Sequence, residues 1–561
     1  MMSTDYSLQK EAGRILHEVL LKDDRLGLPQ KVKDIASKTT FDSSAMSTPF
    51  IPAPLKFTES SAALWGLAAS IGNAIVKERF GIEQGVSINT DIASLFLGSA
   101  AICRVDGKPI SDPGIAVRCQ KYDLGRTSQP WRRLCTNVYP TKDGRYFHLH
   151  GSMNADKTLA MVGLPEERHE LTSVDDVIRE YCGVISHLDS EWLDTEANLH
   201  WRQAGTICLT PEEFRASEQG KAIADDAIFS LEQSATDVLP PVPYRAVDHN
   251  NSNSNNKFRP LEGIKMLDLS RVIAAPTIAK LAALFGATVV RVSCASQPDM
   301  GPLLVDGNLG KYDVSLDLKS DSGRAKLRKL VYDADVVLDG YRPQALERLG
   351  FGVDYLHTVA RRRGRGIVVV RENCYGWHGP MANRSGWQQI SDCVTGCSWL
   401  MGKFLGLDEP VVPPLPNSDY QTGVVGLVGI LLAVDRRAHE GGNYLVDVSL
   451  NQFNQFLISL GEYPAEIQDS LRKLHPNFKP RHFDDMNSLV AKVFTSLYAG
   501  TPQLFQPKYF DNIKSNFGKR DGELETLTYV GSAASYDKTK LGYDVGSCFL
   551  GTYEPVWPQG A

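Results

Sequence analysis

Between Ile264 and Val370, short apolar runs alternate with helical stretches, a pattern that commits the chain to a parallel sheet covered by helices. Residues 264–269 form an apolar run suited to a buried strand, and residues 276–284 have helical spacing that stops near Gly286. Residues 288–292 are β-branched at almost every position and read as a second strand. A loop rich in Gly and Asp leads to a helix over 323–332, a third strand over 335–338, a short helix over 344–349 and a fourth strand over 366–370. The expected fold class is α/β, with a Rossmann-like doubly wound parallel sheet. The first strand–helix turn is Ser270-Arg271-Val272-Ile273-Ala274-Ala275-Pro276, which has no Gly-x-Gly-x-x-Gly, so dinucleotide binding through that fingerprint is not expected and the sheet needs another ligand.

The remaining sequence narrows the classes of function. A chain of 561 residues exceeds one compact core, so two or more domains are expected. The net charge of -6 gives no electrostatic reason for a nucleic-acid or anionic-membrane partner. No run approaches eighteen apolar residues, so no membrane span is expected. Residues 1–10 lack the apolar core of a signal peptide, and Pro558-Gln559-Gly560-Ala561 is not a peroxisomal tripeptide; the expectation is a cytoplasmic protein. Ten cysteines are scattered without paired spacing, and Cys393 and Cys397, four apart, read as one buried helix face rather than a metal site, so no metal is expected.

The clearest boundary is HNNSNSNN at 249–256, which cannot bury apolar surface and reads as a flexible linker after a stiff Pro240-Pro241-Val242-Pro243. It separates block 1–245 from a second block by a linker at 246–258. In the first block, 60–76 looks helical, Lys142-Asp143-Gly144 marks a hairpin within 139–150, and 173–181 and 211–223 look like surface helices. Nothing in this block spells a catalytic motif alone; the smaller α+β domain expected beside the sheet rests on the resemblance described next.

The second block resembles the family III CoA transferases, whose close relatives include α-methylacyl-CoA racemases. The pieces that carry the resemblance occur in family order. They begin with Leu267-Asp268-Leu269-Ser270-Arg271 and Leu284-Phe285-Gly286-Ala287, then Leu316-Asp317-Leu318-Lys319 and Ala334-Asp335-Val336-Val337. Tyr341-Arg342-Pro343, Leu346-Glu347-Arg348-Leu349-Gly350, Gly376-Trp377-His378-Gly379-Pro380 and Gly386-Trp387-Gln388 come next. Ser418-Asp419-Tyr420-Gln421-Thr422-Gly423 and Val446-Asp447-Val448-Ser449-Leu450 close the series. Resemblance is good over 260–455, giving a Rossmann-like CoA-binding and catalytic domain at 259–455 and a shortened C-terminal part at 456–561.

The resemblance implies an interlocked family III fold and an acyl-CoA:carboxylate CoA transferase. Acyl-CoA would be the donor and a carboxylic acid the acceptor, with coenzyme A exchanged through an aspartyl-CoA thioester on Asp419. Moving CoA between acids without losing thioester energy requires such a covalent carboxylate. Asp419 opens a helical stretch, where a helix N-terminus favours a nearby anion. An Asp before an apolar helix is also a common N-cap. By resemblance, Arg271, Lys319 and Arg348 would contact CoA, the last two near its phosphates, and Tyr341 would lie beside the adenine or pantetheine.

Two departures matter. Racemases carry His and Asp where this chain has Trp387 and Gln388, neither a base at neutral pH, and His378 lies in a Gly-x-x-Gly-Pro turn that reads as structural. An isomerase of that kind is the alternative, as is a catalytically impaired CoA-binding protein, because no glycine run occurs after 455. A shift of 360 places Thr58-Glu59-Ser60 on Ser418-Asp419-Tyr420, Gly66-Leu67 on Gly426-Leu427 and Gly81 on Gly441. The first block is thus expected to be a degenerate tandem copy lacking the Rossmann half. In that reading Glu59 is a relic, with a second nucleophile as the other possibility, and the assembly is a homodimer or an intramolecular pseudo-dimer.

Overall fold

The computed structural model describes residues 6–235, 238–245, 258–519 and 522–559. Most of the Asn/Ser-rich linker, 246–257, lies outside the described residues.

Seven strands build the main sheet: β1 (Phe229–Gln233), β2 (Lys265–Leu269), β3 (Thr288–Ser293), β4 (Lys311–Ser315), β5 (Val336–Asp339), β6 (Val368–Asn373) and β7 (Tyr444–Ser449). Their order is β4-β3-β2-β5-β6-β7-β1. Strands β2 to β7 are mutually parallel, and β1, from the first block, adds antiparallel to β7. The six parallel strands follow the doubly wound order, whose reversal point lies between β2 and β5. The fold class is α/β, as the sequence pattern requires.

Helices that frame the sheet are α1 (Phe57–Phe80), α2 (Ala274–Leu284), α3 (Asp321–Asp333), α4 (Val353–Arg363), α5 (Gln388–Val394), α6 (Asn417–Glu440) and α7 (Leu450–Ser459). Side chains alternate between two cores. Met266, Val289, Val336 and Val368 face one, with α2 and α6; Leu267, Val290, Val337 and Val369 face the other, with α3 and α4. A period of two with both faces buried explains why these strands read as continuous apolar runs. Helices α2 and α6 approach closely because Gly423 and Gly426 face α2: a Cβ on Gly426 would lie 2.5 Å from Ile278.

The strand that the sequence pattern does not announce is β4. Its Lys311 and Asp313 look like loop residues yet are fully buried, Lys311 against Asp268 (2.7 Å) and Asp313 against Arg291 (2.9 Å). Pairing each charge makes burial possible. The expected helix over 211–223 is instead two, Pro211–Ala216 and Glu218–Ala222, because Ser217 is extended and caps the second through Gly220 N.

The first block forms its hairpin at Asn137–Pro140 and Tyr146–His150, extended by Ala204–Ile207. Helix α1 packs along α6, and the Gln421 amide donates to the Phe57 carbonyl at 3.1 Å. No helix among the described residues is long and apolar enough to cross a membrane.

Candidate active site

The carboxyl ends of β2 and β5 flank the reversal point, where a doubly wound sheet has its crevice, and Asp419 near the N-terminus of α6 lies within charge reach of Glu372 at the end of β6. In open α/β sheets the reversal point is where loops diverge and a ligand can enter. Pro413, Pro414 and Pro416 precede α6, whose chain turns tightly through Leu415 to Asn417 before the helix begins directly after Pro416. Asp419 is its third residue, 8% exposed. It caps nothing: Pro416 is the N-cap, and no described residue donates a hydrogen bond to the Asp419 carboxyl.

Burial pushes the Asp419 carboxyl well above the ordinary carboxylate range, and the charges of Glu372 and Asp392 raise it further. Glu372, near the end of β6, is pushed up to about 8, first by burial and then by Asp339. Asp339 ends β5 and is pushed up to about 7 by burial, against a 3.0 Å hydrogen bond from the Tyr341 amide. Asp392, on α5, is pushed up to about 7 by burial, opposed by donors on Asn454, Gln388 and Ser418. Asn454 donates at 3.0 Å and Ser418 at 3.4 Å. The Cys374 thiol sits in the combined field of Glu372, Asp392 and Asp419, which with burial holds it protonated. Burial thus favours the neutral form of each of these four acids, with Asp392 and Asp419 buried and Asp339 and Glu372 half-buried at their strand ends.

The opposite wall is cationic. Arg271, in the turn after β2, donates to the Pro298 carbonyl at 3.2 Å and lies 5.8 Å from the Tyr341 ring centroid. Val272 beside it has φ +74, an outlier for a β-branched residue, in the turn where other doubly wound folds place glycine. Such a conformation costs about 1–3 kcal/mol and is held by its surroundings. Helix α2 starts next, with no side-chain cap and no acidic residue in its first turn, so its N–H groups face the crevice end unneutralised.

The first block closes the crevice from above. Arg342 donates to Ser152 Oγ (3.2 Å) and to the Arg202 carbonyl (3.4 Å). The His150 ring stacks on Trp387 with centroids 4.9 Å apart and planes 14° apart. Ser152 N–H donates to His150 Nδ1 at 2.9 Å, and burial, with His148 and Arg342, lowers the imidazole well below its usual range, so it is neutral. Its remaining proton is therefore on Nε2.

Of the residues singled out from sequence, the fold brings Arg271, Tyr341 and Asp419 to this reversal point. Lys319 is exposed after β4 at the sheet edge, and Arg348 is exposed at the end of the short helix Ala345–Arg348; no described contact joins either to Arg271 or Tyr341. His378 is exposed and takes part through its carbonyl, which accepts from Gln219 Nε2 at 2.8 Å. Cys393 and Cys397 are both buried. Sequence reasoning missed Asp339, Glu372, Asp392 and His150. Asp392 was accessible to it, standing one helical turn after Gln388 in a piece that carries the family resemblance.

Comparisons with known proteins place the chain in a family. The model of "CoA-transferase family III" matches residues 261–470. The chain is 38% identical over 570 residues to the acetyl-coenzyme A transferase nodX of Hypoxylon pulicicidum, covering 99% of this chain and 94% of that protein. It is 33% identical over 420 residues to an acyl-CoA transferase of Gibberella moniliformis, covering 72% of this chain and 71% of the relative. Among solved structures, Rv3272 from Mycobacterium tuberculosis matches at 19% identity and a TM-score of 0.39, over 53% of this chain and 99% of that one. With a near full-length relative at this identity and the family model lying over the sheet and α6, the chain is a transferase that belongs to CoA-transferase family III.

Proposed function

We propose that the protein moves coenzyme A from an acyl-CoA donor to a carboxylic acid acceptor, with Asp419 as the covalent relay. The observation that carries this reading is the state of Asp419: a buried carboxyl at a helix N-terminus, unbonded and so available to react. Its ionised form attacks the donor thioester carbonyl, the C–S bond breaks, and CoA thiolate leaves a mixed anhydride on Asp419. The thiolate then attacks the aspartyl carbonyl of the anhydride and expels the donor acid as a carboxylate, leaving aspartyl-CoA. The acceptor carboxylate attacks that thioester, and CoA thiolate returns to the acceptor's acyl carbon, freeing Asp419. Each step exchanges one acyl bond for another, so no external reductant, oxidant or water is consumed.

Binding falls to the cationic wall. Arg271, Tyr341 and the uncapped start of α2 suit the phosphates and pantetheine of CoA, with Lys319, at the sheet edge, and Arg348, after the central β5, assigned to the nucleotide phosphates. Aspartate ionisation is coupled to loading, since the cationic wall and a developing thiolate take the place of the solvent that the pocket excludes. The names of the relatives, an acetyl-coenzyme A transferase and an acyl-CoA transferase, support an acyl donor of this class.

The test is trapping. The protein is incubated with a panel of acyl-CoAs, quenched with hydroxylamine or borohydride, and the modified carboxylate is located by peptide mass spectrometry. An adduct on the Asp419 peptide, absent in Asp419→Ala, is the expected result. CoA binding without any adduct would overturn the relay, and solvent deuterium entering the acyl α-carbon would then identify an isomerase instead.

A further inference from the structure

Helices α1 and α6 are both 24 residues long, and their first residues, Phe57 and Asn417, are 360 apart. The same offset recurs on both sides of the two helices and within them. Pro54-Leu55 and Pro414-Leu415 precede them. Gly66 and Gly426 occupy the same turn of each, Gly66 against Leu16 and Gly426 against Ile278. Both helices end on a positive-φ glycine, Gly81 at 67° and Gly441 at 74°. A strand comes next in each half, Val86–Asn89 and β7, ending on a residue whose side chain caps the next helix: Asn89 accepts from Ile92 N, and Ser449 from Gln452 N. Those helices start at Thr90 and Leu450, again 360 apart.

Pairing repeats as well. β7 has a parallel neighbour, β6, and an antiparallel one, β1, contributed by the first block. Val86–Asn89 has a parallel neighbour, Thr40–Asp42, and an antiparallel one, Ala534–Tyr536, contributed by the end of the chain. Each half thus receives its antiparallel strand from the other.

The two halves differ at the reacting position. Glu59 is the residue 360 before Asp419, and its carboxyl is fully buried and closed off by the Tyr6 and Tyr463 hydroxyls, each donating at 2.7 Å. The sheet around Val86–Asn89 has three strands and nothing equivalent to β2–β5 among the described residues, so it has no reversal point. A cavity of about 450 Å³ lies at its carboxyl ends, lined by Asp42, Ser43, Ser44, Asn89, Lys508 and Tyr509, and Glu59 does not reach it.

We propose that the chain is an internal repeat whose halves exchange strands, with Asp419 as the only covalent carboxylate and Glu59 as its silent counterpart. One chain then binds one acyl-CoA, at a crevice floored by the second half and roofed by His150, Ser152 and Arg202 of the first. This rests on the transferase reading above and deepens it by fixing the number and composition of the sites.

The experiment counts sites on the full chain. Calorimetric titration with free CoA is expected to saturate at one per chain, and trapping with acetyl-CoA to yield no more than one adduct per chain, on the Asp419 peptide. Glu59→Gln is expected to keep CoA stoichiometry and turnover within about threefold of the parent, because Glu59 touches no reacting atom. Two CoA per chain, or an adduct on the Glu59 peptide, would overturn the single-site proposal while leaving the transferase reading intact. Absence of CoA binding altogether would sink both. If Glu59→Gln does not fold, the count on the unmodified chain decides alone.

Discussion

Ser418 Oγ, Asn454 Nδ2 and the Gln388 amide all donate to the Asp392 carboxyl, whereas Asp419, close enough to feel its charge, receives no such bond. Two neighbouring acids are thereby made unequal. Asp392 is satisfied and fixed; Asp419 is left with its lone pairs free in a pocket that disfavours its charge. A carboxylate that must attack a thioester gains nucleophilicity from that lack of solvation, provided that something removes its proton first.

On the proposed relay through Asp419, this inequality sets the pH dependence of transfer. Burial, then Glu372, then Asp392 raise the Asp419 carboxyl, so the ionised fraction in the free enzyme falls as pH drops through that raised value. The kcat/KM profile reports free-enzyme ionisations. It is expected to decline on its acid side at a pH above the ordinary carboxylate range. Glu372→Gln removes the larger of the two like charges and shifts this limb toward lower pH. A limb that stays put in Glu372→Gln, or moves upward, would show that Asp419 is not the titrating group.

Stability should carry the mark of the same cluster. Asp392 is 3% exposed and pushed up from 3.8 to about 7 by burial. The folded state therefore binds a proton that the unfolded chain releases between these values, so stability is full at low pH and is lost as pH rises through the window. Asp392→Asn removes that loss. Its unfolding free energy relative to the parent is expected to improve from pH 4 to pH 8, by no more than about 4 kcal/mol, the equivalent of the full shift. Urea melts at the two pH values measure it, and a gap independent of pH would contradict the assignment.

How much of this is legible in the sequence depends on whether the signal is apolar. Strands β2, β3, β5 and β6 are buried on both faces and announce themselves as Val- and Leu-rich runs. Strand β4 hides because its Lys311 and Asp313 are core residues whose partners, Asp268 and Arg291, lie far away in sequence. Asp419 is legible through the motif around it. Glu372, whose charge raises it, is not legible: it sits near the end of β6, beside Asp339 at the end of β5, and the two strands meet only in the sheet; His150, which stacks on Trp387, comes from the first block. The repeat proposed above shows in sequence as a handful of identities at an offset of 360. In the structure it extends to helix length, turn glycine, cap and strand pairing.

Binding should separate the cationic candidates. Arg271 is anchored on the Pro298 carbonyl and backed by Tyr341, so its guanidinium is held in place before CoA arrives. Charge-assisted contacts to phosphate contribute about 1.5–3 kcal/mol. Arg271→Ala is expected to weaken CoA binding roughly 10–100-fold, with Arg271→Lys recovering part of it. Lys319 and Arg348 are exposed and screened, and Lys319→Ala and Arg348→Ala should each cost about tenfold or less, more at low salt. Titration with CoA at two ionic strengths reads all four. An Arg271→Ala variant with parental affinity would remove Arg271 from the site.

The floor of the crevice rests on a buried ion network, and its disruption should be felt both in folding and in binding. Arg291, 1% exposed on β3, pairs with Asp299 and Asp313 at 2.9 Å each and donates to the Ser270 carbonyl at 3.3 Å, at the start of the Arg271 turn. Both acids are themselves buried, so removing the guanidinium leaves two carboxyls without a counter-charge. Breaking one partner of such a pair costs about 3–5 kcal/mol, far more than the pair's net contribution against an apolar replacement. Arg291→Met is expected to lose that much in denaturant unfolding. Adding Asp299→Asn and Asp313→Asn to it should restore a large part, because the stranded charges go with it. CoA affinity should take a different course, since the Ser270 carbonyl stays unheld in every one of these variants. A triple variant that regains stability yet still binds CoA weakly would separate the network's two roles, and full recovery of both would mean that Arg291 stabilises the sheet without positioning the turn.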